Sequence, residues 1–180
     1  MIIVSGPSGV GKSTLIGKLR AANSLEFLVP STTREIRSEE IADQDYEFVD
    51  IGSFQAGIQS GRFADWDYAL SNYYGFREDP LFDSGRPAIT HALARMAVRL
   101  RSRHPSIKLV FLRPAHAEAH VARLTERFDD ETARMGRLEH WREELAHEAL
   151  FDHVLTVGGA CEALEPQHNH VWGSLGLKAG

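Results

Sequence analysis

Short apolar runs alternate along this chain with longer stretches of helical periodicity, and their order predicts an α/β domain. Residues 2–5, 27–29, 88–90, 107–112 and 153–157 are apolar runs of strand length. Residues 13–22, 92–103, 115–126 and 137–149 carry apolar positions at helical spacing, and a short helix is expected near 161–164. Strands and helices in this order predict a doubly wound, mostly parallel five-stranded sheet, with ligands at the C-terminal ends of its strands.

Three stretches depart from that pattern. Residues 31–76 hold two segments that alternate apolar and polar positions, 46–49 and 62–69, around a short helix near 54–59 that Asp50 or Ser53 can cap. They read as a small insertion with its own sheet. Residues 127–134 are charged and lack an apolar face, which predicts a mobile lid over 126–137. Residues 166–180 read as a polar, glycine-bearing tail of uncertain order. The remainder, 1–30, 77–125 and 138–165, makes the core of a single domain.

Composition narrows the classes. The chain has 180 residues, 43% of them hydrophobic, enough for an ordinary core. A net charge of −5 argues against a protein that coats nucleic acid. A single Cys161 leaves no internal disulfide, and no apolar run is long enough to span a bilayer. The expectation is a soluble cytoplasmic protein, monomer or homodimer, acting on a small molecule, with no nucleic-acid or membrane partner.

The chemistry begins between the first strand and the first helix. Gly6, Gly9, Gly11, Lys12 and Ser13 form the pattern Gly-x-x-x-x-Gly-Lys-Ser, the phosphate-binding loop of a P-loop NTPase. Glycines let successive N–H groups turn inward around a polyphosphate, and the helix N-terminus adds partial positive charge. The expected ATP-binding residues are Gly6, Ser8, Gly9, Val10, Gly11, Lys12, Ser13 and Thr14, with Lys12 on the outer phosphates and the Ser13 hydroxyl on Mg²⁺.

Switches, motors, transporters and kinases share this loop, so the rest of the site must decide between them. Thr32, Thr33, Arg34 and Arg37 are followed by Asp45, Tyr46, Phe48 and Val49, then by Asp65 and Trp66, and by Asn72, Tyr73, Tyr74 and Gly75. Together with Arg123 and Arg127, these motifs closely resemble the guanylate kinase family over residues 1–157. Two neighbouring arginines can orient a phosphate monoester by bidentate bonds; their plain alternative is surface pairing with Glu35, Glu39 or Glu40.

The resemblance implies ATP and Mg²⁺, with Arg34, Arg37, Tyr46 and Tyr74 holding the acceptor phosphate. Asp65 stands where the family has the glutamate that reads guanine, and a carboxylate can accept from that base's N1–H and N2–H₂. The alternative for Asp65 is a polar residue on a strand's outer face, with Trp66 buried. Arg127 and Arg137 resemble the lid arginines, and Arg134 competes with Arg137 for that role. Lys12, Arg34, Arg37, Arg127 and Arg137 form the expected catalytic set.

Three departures fall in the acceptor pocket. Pro30 replaces the family's serine, Phe76 replaces a hydroxyl residue after Tyr-Tyr-Gly, and Thr90-His91-Ala92 replaces Asp-x-Asp. Pro80 interrupts the segment after them. The primary expectation, which the resemblance implies, is GMP phosphorylation; these departures weigh against GMP as the acceptor more than against the reaction. Another phosphorylated acceptor, such as ribose 1,5-bisphosphate or a modified nucleotide, is the alternative, and a catalytically silent binding module comes third. His168 and His170 read as tail, His116, His120, His140 and His147 as surface, and Cys161, Phe54, Trp66 and Trp141 as core.

Overall fold

The computed structural model describes residues 1–79, 82, 85–125, 130–158 and 162–178. Its central sheet runs in the order β2-β7-β1-β8-β9, all parallel: β1 (Ile2–Ser5), β2 (Glu26–Phe27), β7 (Ala88–His91), β8 (Lys108–Pro114) and β9 (His153–Val157). Both faces of these strands are covered, which is why they read as nearly continuous apolar runs. Alternate residues feed two cores. Ile3, Leu109 and Phe111 pack on one face with Met96 and Leu100 of α3 (Ala94–Arg103). Val4, Val110 and Leu112 pack on the other with Leu15 and Leu19 of α1 (Lys12–Ala22).

A second sheet, in the order β4-β3-β6-β5, fills the interval between β2 and β7. It comprises β3 (Ser31–Thr32), β4 (Glu47–Phe48), β5 (Phe63–Ala69) and β6 (Asn72–Arg77), with α2 (Ile51–Gln59) packed on it through Phe54. Asp50 caps α2, accepting the Ser53 N–H at 2.8 Å and the Ser53 hydroxyl at 2.6 Å. Trp66, read from sequence as core, is 40% exposed on this sheet.

Two stretches fold more than their sequences suggest. Residues 131–137, expected within the lid, are the first turns of α5 (Glu131–Ala146). Asp130 accepts the Ala133 N–H at 2.8 Å, so a local cap starts the helix inside a charged run that lacks an apolar stripe. The 166–178 segment is no loose tail either. It forms a turn at Pro166–His168 and α6 (Asn169–Ser174), which buries Val171 and the whole of Trp172 against the α1 side of the sheet. Trp172 Nε1 donates to the Ala163 carbonyl at 2.7 Å, and Asn23 holds Lys178 by two hydrogen bonds of 2.9 Å. One fully buried tryptophan outweighs the polar composition around it.

Among the described residues, no helix is long and apolar enough to cross a membrane. α4 (Ala117–Thr125) lies between β8 and α5 in sequence and completes the element order.

Candidate active site

At the end of β1 the chain turns through Gly6, Gly9 and Gly11, with φ of 139°, 77° and 101°. A side chain is excluded at Gly6 on a second ground, since a Cβ there would collide with the Leu112 carbonyl of the neighbouring strand. Gly11 then caps α1 in the left-handed region, and no side chain takes up the first N–H groups of the helix. That is the condition for an anion to take them. Lys12 Nζ donates to the carbonyls of Gly6 at 2.6 Å and Pro7 at 3.0 Å. Burial depresses its pKa; the nearby charge of Glu144 opposes that shift and the charge of Arg37 adds to it.

A cavity of about 410 Å³ runs from this loop to the second sheet. Ser8, Lys12, Ser13 and Thr14 line one end, and Arg34, Arg37, Tyr46, Tyr74 and Arg137 line the other. Arg34 is fixed before any ligand arrives. Glu40 takes its guanidinium in a fork, at 2.7 and 3.0 Å, and the group lies 5.3 Å from the Tyr46 ring centroid and 5.6 Å from that of Phe48. Burial opposes the charge on Arg34, yet the Glu40 bonds hold its pKa above the ordinary value. Glu40 also accepts the Arg37 N–H at 2.9 Å, and these bonds outweigh burial to keep its carboxyl below the usual range. Arg34 is therefore both paired with Glu40, in a largely buried rather than surface ion pair, and part of the cavity wall.

Arg37 is half-exposed at the cavity mouth. Arg137 enters from α5; burial, together with the charges of Arg37 and Arg34, lowers its pKa, and Tyr74 opposes this. Burial raises the phenol pKa of both Tyr46 and Tyr74, so each enters the pocket as a neutral hydroxyl. Three arginines and two phenols thus face the loop, with the Glu40 carboxylate tied to Arg34 among them and Glu39, Asp45 and Glu144 also on the cavity wall. Such a set suits a dianionic phosphate ester.

Asp65 is not part of this cavity. A register shift between Phe63 and Asp65 marks the start of β5, and the carboxylate meets α3, where Arg99 binds it at 3.0 Å and Arg103 at 2.8 Å. Arg99 reaches Asp67 as well, at 3.1 Å, and Arg95 pairs with Asp67 at 2.6 Å. The expected guanine reader is thus a buried anchor between the two sheets' layers, and Trp66, not Asp65, is the exposed member of the pair. The signal was present in the sequence, since arginines at 95, 99 and 103 recur one helical turn apart and aspartates at 65 and 67 share one face of a strand.

The other departures have physical readings. Phe76 is fully buried in the core beside Phe82. Thr90 donates its hydroxyl to the Leu28 carbonyl at 2.6 Å, while Pro30, His91 and Ala92 line the cavity. His91 stacks edge-on with Tyr46 at 5.0 Å, and burial pushes its pKa down to about 3, with Lys12 adding to the shift. His140 is buried too, its pKa lowered to about 4 first by burial and then by Lys12 and Arg137. Neither it nor His120 is the surface residue that helical spacing suggested: His120 Nε2 lies 2.9 Å from the Ser8 carbonyl. His120 helps line a second cavity of about 220 Å³ behind the loop, bounded by Pro114, Ala115, Val157 and Gly158. Arg127, Cys161 and Pro80 lie outside the described residues, as does the Arg123 side chain. Arg134 lies near Glu131, 3.9 Å away, on the same helix as Arg137, and only Arg137 lines the cavity.

A glycine-built phosphate loop at the end of a parallel sheet, facing a cationic cluster on an inserted sheet, defines a P-loop nucleotide kinase. The model of the family described as guanylate kinase matches residues 1–167. Guanylate kinase of Gloeobacter violaceus is 32% identical over 173 residues, covering 92% of this chain and 84% of that one, and the Rubrobacter xylanophilus enzyme of the same name is 36% identical over 157 residues, covering 84% and 82%. The crystal structure of guanylate kinase from Anaplasma phagocytophilum superposes with a TM-score of 0.75 at 22% identity, covering 97% of this chain and 85% of that one. The chain belongs to the guanylate kinase family.

Proposed function

We propose that this chain transfers the γ-phosphoryl group of ATP to GMP, giving ADP and GDP. The observation that carries the reading is one cavity with a phosphate loop at one end and Arg34, Arg37, Arg137, Tyr46 and Tyr74 at the other. An oxygen of the acceptor monophosphate attacks the γ-phosphorus in line, and the bond to the bridging oxygen of ADP breaks. No covalent enzyme intermediate is required. The residues act by positioning and by offsetting charge: Lys12 and the loop N–H groups on the donor, Arg34 and the phenols on the acceptor, and Arg137 between them.

Ser13, at the first turn of α1 and on the cavity wall, offers one hard oxygen ligand suited to Mg²⁺, with phosphate oxygens and water completing a shell of the usual kind. When bound, the ion neutralises phosphate charge. The deciding experiment is ADP release from ATP, Mg²⁺ and GMP, with Lys12→Ala as control; no turnover above the control with GMP or dGMP sinks the assignment.

A second reading keeps the reaction and changes the acceptor. It is favoured by Asp65, whose carboxylate is occupied by Arg99 and Arg103, and by Ala92 on the pocket wall where the family has an acid. A panel of GMP, IMP, AMP and ribose 1,5-bisphosphate separates the two, because a clear GMP preference counts against the second. The silent-module reading has the least support, since a binding module has no need of Lys12 in an intact loop.

A further inference from the structure

The polar groups on the cavity wall divide into those with protein partners and those without. Among its carboxylates, Glu40 is taken by the Arg34 fork, Asp45 accepts the Ile41 N–H at 2.9 Å, and Glu144 accepts the Ala94 N–H at 2.9 Å. Glu39 is exposed at the rim and accepts the Ser38 hydroxyl at 2.8 Å. Asp65 is outside the cavity, held by Arg99 and Arg103. Among the described residues, no cavity carboxylate stands without a partner and ready for the adjacent N1–H and N2–H₂ donors of guanine.

His91 is the opposite case. It ends β7, is 8% exposed and lines the cavity, and its Nδ1 is buried with no hydrogen-bond partner among the described residues. Phe27, at 5.8 Å, and Tyr46, at 5.0 Å, flank the ring. A buried nitrogen without a partner is destabilising, and a ligand that bonds it displaces no protein contact. The same cavity takes apolar lining from Pro30, Leu70, Ala92, Leu93 and Met96, which suits a flat base. His140 Nδ1 is unpartnered as well, but it enters from α5, the helix that carries Arg137.

We infer that His91 is a specificity-determining residue of the acceptor pocket, reading a 6-oxopurine nucleoside monophosphate through one neutral hydrogen bond, so that GMP and IMP are accepted nearly alike. The inference rests on the proposed kinase reaction and narrows its acceptor class. Burial keeps the imidazole neutral, so it offers one donor and one acceptor and no charge. As a donor it meets the base's O6, and as an acceptor it meets N1–H; guanine and hypoxanthine carry both. Only a further acceptor, such as the second oxygen of a carboxylate, detects the 2-amino group that sets GMP apart from IMP. Adenine presents the opposite polarity at both positions, an amino group for O6 and a lone pair for N1–H.

The test is kcat/KM for GMP, IMP and AMP, each with ATP and Mg²⁺, in the wild type, His91→Leu and His91→Asn, beside thermal melts. Wild-type values for GMP and IMP are expected within about tenfold of each other, where a carboxylate reader loses roughly 10- to 100-fold on the missing amino group. His91→Leu is expected to lose roughly three- to tenfold on GMP and IMP together, the effect of one neutral hydrogen bond, and less on AMP. Its melting temperature should not fall, because leucine removes an unpartnered buried nitrogen. His91→Asn, which keeps a polar atom near the Nδ1 position, should recover most of the loss. A GMP preference over IMP beyond about tenfold overturns the inference and leaves the GMP assignment standing. An unchanged GMP-to-AMP ratio in His91→Leu overturns it too, and if that variant does not fold, the wild-type GMP-to-IMP ratio decides. Turnover of ribose 1,5-bisphosphate, with no nucleotide of the three above the Lys12→Ala control, removes the GMP assignment and the inference with it.

Discussion

The phosphate loop and the acceptor end of the cavity face each other, but they are built on different terms. The loop is a local object: three glycines at positive φ, one helix start and one lysine, all within residues 6–12 and all dictated by backbone sterics. The acceptor end is assembled from distant pieces. Arg34 and Tyr46 come from the inserted segment, Tyr74 from β6, His91 from β7 and Arg137 from α5. Its members are held by long side chains pairing with one another, as Glu40 pairs with Arg34. A local site tolerates little change in sequence, whereas an assembled site can lose a member and keep its shape. That contrast accounts for a loop that matches its family's pattern next to a pocket that departs from it at Pro30 and Ala92.

The sharpest break in the comparison is at the local end. Lys12→Ala removes the one buried ammonium from the donor end, and turnover is expected to fall by on the order of 10²–10³ or more, with the melting temperature little changed. Steady-state kinetics beside a thermal melt checks both halves. Arg34→Ala strikes the assembled end. Losing a charge-assisted hydrogen bond to the acceptor phosphate costs about 1.5–3 kcal/mol, so the acceptor's KM is expected to rise by roughly 10- to 100-fold while that of ATP moves little. An equal effect on both substrates would remove Arg34 from the acceptor end.

The same contrast explains what was legible in the sequence. The loop, the five core strands and the cap at Asp50 depend on a few adjacent residues, and they stand where the sequence puts them. The pairing of Asp65 was harder to read, because its partners, Arg99 and Arg103, are more than thirty residues away. Tertiary pairing, not strand alternation, decides where that carboxylate goes. Trp172 was hidden for a related reason: its burial depends on a layer supplied by α1 and β9, which the composition of residues 166–178 does not reveal. His140 looked like a surface position on a polar helix, and only the placement of α5 against the loop buries it.

Buried histidines at the assembled end also set an acid limit. His91 and His140 have pKa values lowered to about 3 and about 4, below the ordinary 6.5 that the unfolded chain recovers. The unfolded state therefore binds more protons between those values and 6.5, and stability falls as pH falls through that window. Each histidine contributes up to about 1.4 kcal/mol per pH unit, or roughly 2 kcal/mol between pH 6.5 and pH 5. Urea midpoints measured across that range should drop on the acid side, and His91→Gln should flatten the slope. An unchanged slope in that variant would place the acid sensitivity elsewhere.

The smallest expected effect is the most informative about the acceptor. Asp65 is buried, but Arg99 and Arg103 are each nearly half-exposed, so water screens the pairs and Asp65→Asn should cost only about 1 kcal/mol of stability. If the carboxylate is an anchor between β5 and α3, the GMP KM should stay at its wild-type value and the ratio of GMP to IMP turnover should not move. A base reader behaves differently, because replacing its carboxylate leaves the guanine N1–H and N2–H₂ without an acceptor and lowers that ratio. Steady-state ratios measured at equal folded fraction separate the two cases. A GMP preference that survives Asp65→Asn assigns base recognition to cavity-lining groups such as His91, whose neutral imidazole stands against Tyr46 on the wall proposed to hold the acceptor phosphate.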